Sequence, residues 1–116
     1  MFADETAEVR RRAGRARAGS DSGVESVARQ RFERLGLTVE QQVDLATVGR
    51  VDMVLNGLLV VEIDGFEFHS DRDAVDRDYR RDAKLTARGI PHLRFTYRHV
   101  MYSWPFVEAT VRDCLS

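Results

Sequence analysis

The sequence predicts one α/β domain, a mixed four-stranded sheet flanked by helices, with elements in the order α-β-β-β-α-β-α. Three observations carry this. The chain has 116 residues, 43% hydrophobic and 32% charged, which suits a single compact core and leaves little room for a second. Apolar residues recur at helical spacing in some stretches and as short strand-like runs in others. A strand, a long helix and another strand follow one another, and such a crossover implies a mixed sheet with helices packed on it.

Residues 1–21 stand apart as a basic arm or linker, with Arg10, Arg11, Arg12, Arg15 and Arg17 set among alanines. The arm reads either as a solvated linker from an upstream domain or as a basic segment touching a phosphate backbone. Residues 22–116 form the domain. Ser22-Gly23-Val24-Glu25 is a capping box: the Ser22 hydroxyl accepts from the N3 amide and Glu25 reaches back. Val24, Val27, Ala28, Phe32 and Leu35 continue at helical spacing, and Gly36 stops the helix, so it runs over about 23–35. Strands follow at about Thr38 to Leu45, Arg50 to Val54 and Leu58 to Asp64, the last two joined by an Asn56-Gly57 hairpin. Ser70-Asp71 caps a second helix that runs to about Arg88 and stops at Gly89 and Pro91. Its expected inward residues are Ala74, Tyr79, Ala83 and Leu85. His92 to Tyr97 is a fourth strand. A last helix covers about Trp104 to Leu115, with Pro105 in its first turn and Trp104 packing it.

Composition excludes several classes. No apolar run approaches the roughly 20 residues of a membrane span; the longest is Leu58 to Val61. The N-terminus lacks the apolar stretch of a secretory signal. The single cysteine, Cys114, forms no internal disulfide and supports no thiolate zinc site, so a reducing cytoplasm is expected. Lys and Arg number 18 against 19 Asp and Glu. Without the four acids singled out below, the remainder is mildly basic and rich in Arg, the better phosphate binder.

The informative stretch is Val51-Asp52-Met53-Val54 followed by Leu59-Val60-Val61-Glu62-Ile63-Asp64-Gly65. An unpaired carboxylate inside an apolar strand costs several kcal/mol, so these acids need a reason. Glu62 and Asp64 share one face of their strand. Asp52 reaches that face only if the hairpin loop has odd length or a bulge. A loop of Leu55-Asn56-Gly57, with Gly57 left-handed, pairs 54 with 58 and 52 with 60, and sets Asp52 diagonal to Glu62. Three convergent carboxylates suit Mg²⁺ or Mn²⁺, which take oxygen ligands and support phosphodiester hydrolysis. The competing explanation is that the acids pair with arginines. Glu25 has a second explanation in the capping box.

These features resemble the PD-(D/E)XK nuclease superfamily, and more narrowly the very-short-patch-repair (Vsr)-like endonuclease domains of actinobacterial type, over about residues 20–115. The resemblance is carried by Ser22-x-x-Glu25, Gly49-Arg50-Val51-Asp52, Val60-Val61-Glu62-Ile63-Asp64-Gly65 with His69 four residues on, Arg77-Asp78-x-x-Arg81-x-x-x-Leu85-x-x-x-Gly89, and Leu93-Arg94-Phe95. It implies a restriction-endonuclease-like αβββαβ core. It also implies that Asp52 and Glu62 bind the metal, with Glu25 assisting. Asp64 stands where the superfamily usually has lysine. His69 matches the histidine that follows the third strand in short-patch-repair enzymes, and is the candidate general base. The structural zinc site of those enzymes has no counterpart here.

Phe66 and Phe68 read either as core or as residues that stack on a base. Arg77, Arg80, Arg81 and Lys84 are candidate phosphate contacts on the second helix, with Arg81 alternatively paired to an active-site acid. His92 and His99 are expected at the surface or at strand ends. The function expected is a metal-dependent endonuclease acting on DNA, in repair or another pathway, with an upstream recognition domain or a homodimer for cutting both strands. The alternatives are a non-catalytic nucleic-acid-binding or interaction domain that keeps the fold, and a small oligomerising domain whose acids pair across an interface.

Overall fold

The computed structural model describes residues 22–65 and 72–116. In chain order these form α1 (Ser22–Arg34), β1 (Val39–Leu45), β2 (Gly49–Leu55), β3 (Leu59–Asp64), α2 (Arg72–Ala87), β4 (His92–Thr96), α3 (Tyr97–Tyr102) and α4 (Trp104–Leu115). The strands make one mixed sheet in the order β1-β2-β3-β4. Its first three strands are antiparallel neighbours, and β4 returns parallel to β3 through the α2 crossover. Among the described residues no helix is long and apolar enough to cross a membrane.

The sheet separates two apolar layers. On one face Met53, Leu55, Leu59, Val61, Ile63 and Phe95 pack with Val24, Ala28 and Phe32 of α1, Val100 of α3, and Val107 and Val111 of α4. On the other face Val43, Leu45, Val51, Val54 and Val60 pack with Leu85 of α2 and with Ile90. The β3 run Leu59 to Ile63 is buried throughout because both faces of that strand are covered. Trp104 packs α4 against α1, its ring 5.1 Å from that of Phe32. Gly36 closes α1 with a left-handed φ of 90°, which only glycine adopts freely.

Alternation is broken at one place. Strict alternation along β2 puts Val51 with Met53 and Leu55, yet Val51 packs in the opposite layer. Across from this step, between the pairs Gln41↔Met53 and Val43↔Val51, Gln42 has a left-handed φ of 51°. The paired irregularity turns both strands at the level of Asp52.

Three expectations need correction. The β2–β3 ladder pairs Leu55 with Leu59, Val54 with Val60 and Met53 with Val61, one step away from the expected 54–58 pairing. Asn56 and Gly57 are both left-handed and the Leu58 N–H donates to the Leu55 carbonyl at 2.9 Å, so Leu58 is the extra residue of a bulged turn. The ladder runs from Leu55↔Leu59 to Met53↔Val61 and stops short of Asp52, whose carboxylate accepts from the Ile63 N–H. Asn56 is held there because its Oδ1 accepts from the Thr38 N–H and its own N–H donates to the Thr38 carbonyl, both at 2.9 Å.

The second correction concerns α2. Tyr79 is 70% exposed and Ala83 is also exposed. The inward stripe is instead Asp78, Arg81, Asp82 and Leu85, at i, i+3, i+4 and i+7, because the surface it meets carries charges of its own. Third, β4 ends at Thr96 and a short helix, α3, precedes the final one. Thr96 Oγ1 accepts from the His99 N–H, and His99 Nδ1 accepts from the Thr96 N–H, each at 3.1 Å. That reciprocal cap starts a helix at Tyr97.

An expected outcome follows for the turn. Asn56→Ala removes the side-chain contacts to Thr38 and places alanine, which tolerates left-handed backbone less well than asparagine, in the turn, costing about 1–2 kcal/mol in urea unfolding. Asn56→Gly recovers the backbone share of that loss. Equal losses for the two variants would contradict the assigned role of the turn.

Candidate functional site

Glu62 lies in the middle of β3, 3% exposed, on the face that α2 covers. Two guanidinium groups meet it. Arg94 Nη2 donates to Glu62 Oε1 at 2.7 Å, and Arg81 Nη2 donates to the same oxygen at 3.1 Å. The parallel register explains the first contact, because Arg94 of β4 is the in-register neighbour of Glu62. Helical spacing explains the second, because Arg81 is on the inward stripe of α2. The other carboxylate oxygen, Glu62 Oε2, is buried and has no hydrogen-bond partner among the described residues; the same holds for Arg81 Nε.

The arginines are shared with further acids. Arg94 Nη1 donates to Asp64 Oδ1 at 2.8 Å, and its two terminal nitrogens lie 3.6 Å from Asp78 and Asp82. Arg81 Nη2 donates to Asp78 Oδ1 at 2.7 Å. Four carboxyl groups thus face two guanidinium groups. Burial raises the Glu62 carboxyl above the ordinary carboxylate range, against the opposing pull of Arg81 and Arg94. Burial tends to lower the two arginine pKa values, but Glu62 and the neighbouring aspartates outweigh it and hold both side chains more firmly charged.

Asp52 has left the regular ladder at the β1–β2 irregularity. Its Oδ2 accepts from the Ile63 N–H at 2.8 Å, standing in for a backbone carbonyl at the end of the β2–β3 pairing. Glu25 is 4% exposed on α1, and its Oε1 accepts from Gln42 Nε2 at 3.2 Å. Gln42 lies across from Asp52 in the β1–β2 register. Gln42 thus ties Glu25 to the distorted stretch of β1 that faces Asp52.

The three-carboxylate metal set expected from the sequence is not assembled. Among the described residues no group of three His, Cys, Asp or Glu is arranged to hold a metal ion. Asp64 is drawn to Arg94, which the parallel register places between β3 and α2. One or two carboxylates can hold a hard divalent cation when water and substrate oxygens complete its shell. Glu62 has a buried oxygen without a partner among the described residues, and Asp52, on the neighbouring strand, is held by the Ile63 N–H.

Among the expected phosphate contacts, Arg81 is turned inward onto Glu62 and is not at the surface. Arg80 is exposed and paired to Asp76 at 2.6 Å; Arg77 and Lys84 are exposed. His99 serves as a cap and His92 Nδ1 contacts the Ile90 carbonyl at 3.0 Å, both at the ends of β4. His69, Phe66 and Phe68, the helix cap Ser70-Asp71, the Ser22 side chain of the capping box and the arm 1–21 lie outside the described residues. Gln42, Asp78, Asp82 and Arg94 belong to the site without an assigned role in the sequence reading. Arg94 had a visible signal: a charge between Leu93 and Phe95 is as anomalous in an apolar strand as Glu62 is.

The raised Glu62 pKa has a definite sign. The folded protein keeps a proton on Glu62 at a pH where the unfolded chain has released it. This contribution to stability is present below the ordinary carboxylate pKa and is lost as pH rises through the raised one. The stability of wild type relative to Glu62→Gln, measured by urea unfolding, is therefore expected to fall as pH rises through and above the ordinary carboxylate range. A difference that rises over that span would contradict the burial argument.

Comparison of the chain with models of protein families, with characterised proteins and with solved structures gives no match.

Proposed function

We propose that this chain is a metal-dependent endonuclease that hydrolyses phosphodiester bonds in DNA, on a restriction-endonuclease-like αβββαβ core of the Vsr-like kind. The observation that carries the proposal is the buried Glu62 carboxylate, its Oε2 unpartnered among the described residues, on the strand next to the one that carries Asp52. A carboxylate is not kept inside an apolar strand without a counter-charge, and two arginines leave the surrounding acids in excess. The order of the sheet, three antiparallel strands followed by a parallel crossover, agrees with that core.

Asp52 and Glu62 are the residues that would hold Mg²⁺ or Mn²⁺. When bound, such an ion lowers the pKa of a water and polarises the phosphoryl oxygen. The protein's own part is to aim and hold the carboxylates. The Ile63 N–H fixes Asp52, Arg81 and Arg94 fix Glu62, and Gln42 fixes Glu25. Arg77 and Lys84, exposed on α2, would contact backbone phosphates, which position a duplex without reading its sequence. His69 is the proposed general base. The single exposed cysteine suits work in a reducing cytoplasm.

A second reading is favoured by the Arg94 contacts. A domain whose acids are neutralised by its own arginines can keep this fold and bind nucleic acid or another protein without cutting. Incubation with supercoiled plasmid and Mn²⁺ separates the two. Nicking or linearisation is expected, and Glu62→Ala or Asp52→Ala should reduce it by about 100-fold or more, since loss of even an outer partner of a metal ligand costs about 10–100-fold. Plasmid, linear duplex and single strands that are all bound but never cut would favour the second reading.

A further inference from the structure

No Asp or Glu occurs from Ala83 to Val107, although the whole chain has slightly more acids than Lys and Arg. The second half of that stretch is rich in aromatic residues, and the fold sets part of it at the surface. β4 ends at Thr96, the in-register neighbour of Asp64, and α3 and α4 follow from there. Two large rings are exposed on these helices, Tyr102 at 71% and Phe106 at 52%. Each is braced from behind. Phe106 stands against His99, with ring centroids 5.3 Å apart, and edge-on to the buried Phe95 at 5.9 Å. Tyr102 meets Tyr97 edge-on at 6.3 Å, and the Arg98 guanidinium lies over its ring, 5.8 Å from the centroid. His99 links the two rings, because it touches Phe106 and precedes Tyr102 by three residues on α3. Arg98 is exposed and makes no salt bridge among the described residues.

Braced, exposed rings beside an uncompensated guanidinium match the chemistry of a nucleotide. A ring face stacks on a base of any sequence, and the cation meets the phosphate. Within a duplex the base faces are covered by their stacked neighbours, so the bases that fit are unpaired ones. We propose that Tyr102 and Phe106 form a stacking platform for unpaired bases of single-stranded DNA, with Arg98 on the phosphate backbone. This inference rests on the DNA-directed reading above and adds a substrate class to it: DNA with an unpaired stretch beside the site. The charge pattern selects a polyanion over a second copy of this chain. A two-fold contact between copies would set this acid-free face against itself, cation against cation. Strand polarity places the platform usefully. It begins where β4 ends beside Asp64, at the carboxyl end of the parallel pair that carries Glu62 and Arg94.

Anisotropy of a fluorescein-labelled oligothymidine, titrated with the full chain in EDTA, tests the platform apart from any cutting. Wild type is expected to bind. Tyr102→Ala and Phe106→Ala should each weaken binding by about fivefold to 150-fold, the range for loss of one stacked base. Tyr102→Phe and Phe106→Tyr keep a ring and should bind like wild type. Arg98→Gln should reduce the slope of log affinity against log salt by about 0.7, the value for one phosphate contact to a single strand. Tyr79→Ala removes a ring of equal exposure, 70%, from α2 and should change nothing. Because Tyr102 is mostly exposed, Tyr102→Ala tests the platform even if Phe106→Ala fails to fold. A wild-type chain that cuts plasmid with Mn²⁺ yet binds no oligothymidine, or binds it equally well as Tyr102→Ala, overturns the platform and leaves the nuclease reading standing. Self-association that Tyr102→Ala abolishes, without oligothymidine binding, also overturns it and marks the patch as a contact between copies. Binding through both rings with no cutting supports the platform and overturns the nuclease reading. Neither binding nor cutting overturns both.

Discussion

The charge of Glu62 must be met inside the protein, and much of the α2 side of the sheet is arranged around that requirement. The carboxylate lies in an apolar strand covered on both faces, where an uncompensated charge costs several kcal/mol. The strand next to it, running parallel, brings Arg94 into register; the crossover helix brings Arg81 at the spacing of its inward stripe. Those arginines in turn require acids, which explains why the face of α2 turned to the sheet is ionic and not apolar. Leu85 alone among the α2 residues is fully buried, at the end where the helix reaches the second apolar layer.

The distortion at Gln42 and Asp52 is the other half of the arrangement. A regular β2 would continue its ladder and give Asp52 no reason to leave it. The left-handed backbone at Gln42 turns β1, Val51 of β2 changes face, and the Asp52 carboxylate takes the place of a backbone acceptor for Ile63. The irregularity adds no residue to either strand; it re-aims the Asp52 side chain within an unbroken register. Gln42 also supplies an amide to the buried Glu25, so one irregularity links α1 to the central strands.

Most of the fold was legible because it rests on local chemistry. The strand runs around Val51 and Val60, the stops at Gly36 and Gly89, and Pro105 near the start of α4 mark elements by rules that act within a few residues. The parity of the hairpin was also legible, since acids two residues apart on β3 define a face. Its register was not, because Leu58 and Gly57 are both acceptable as the extra residue and the choice is made by Thr38, eighteen positions from Asn56. Tyr79 and Ala83 were misplaced because helical periodicity was read from apolar residues alone. On α2 the periodic signal is carried by Asp78, Arg81 and Asp82, and it becomes visible only once charged partners are known on β3 and β4. Arg94 carried its own sequence anomaly, but its pairing with Glu62 follows from a parallel register that no local pattern specifies.

The central claim is that the buried Glu62 carboxylate, whose Oε2 has no partner among the described residues, serves a divalent cation. Diffraction from crystals soaked in Mn²⁺, recorded for anomalous scattering, tests it directly. Expected is a peak at direct ligand distance from Glu62 Oε2, shared with the Asp52 carboxylate. A soaked crystal with manganese only at surface acids would contradict it.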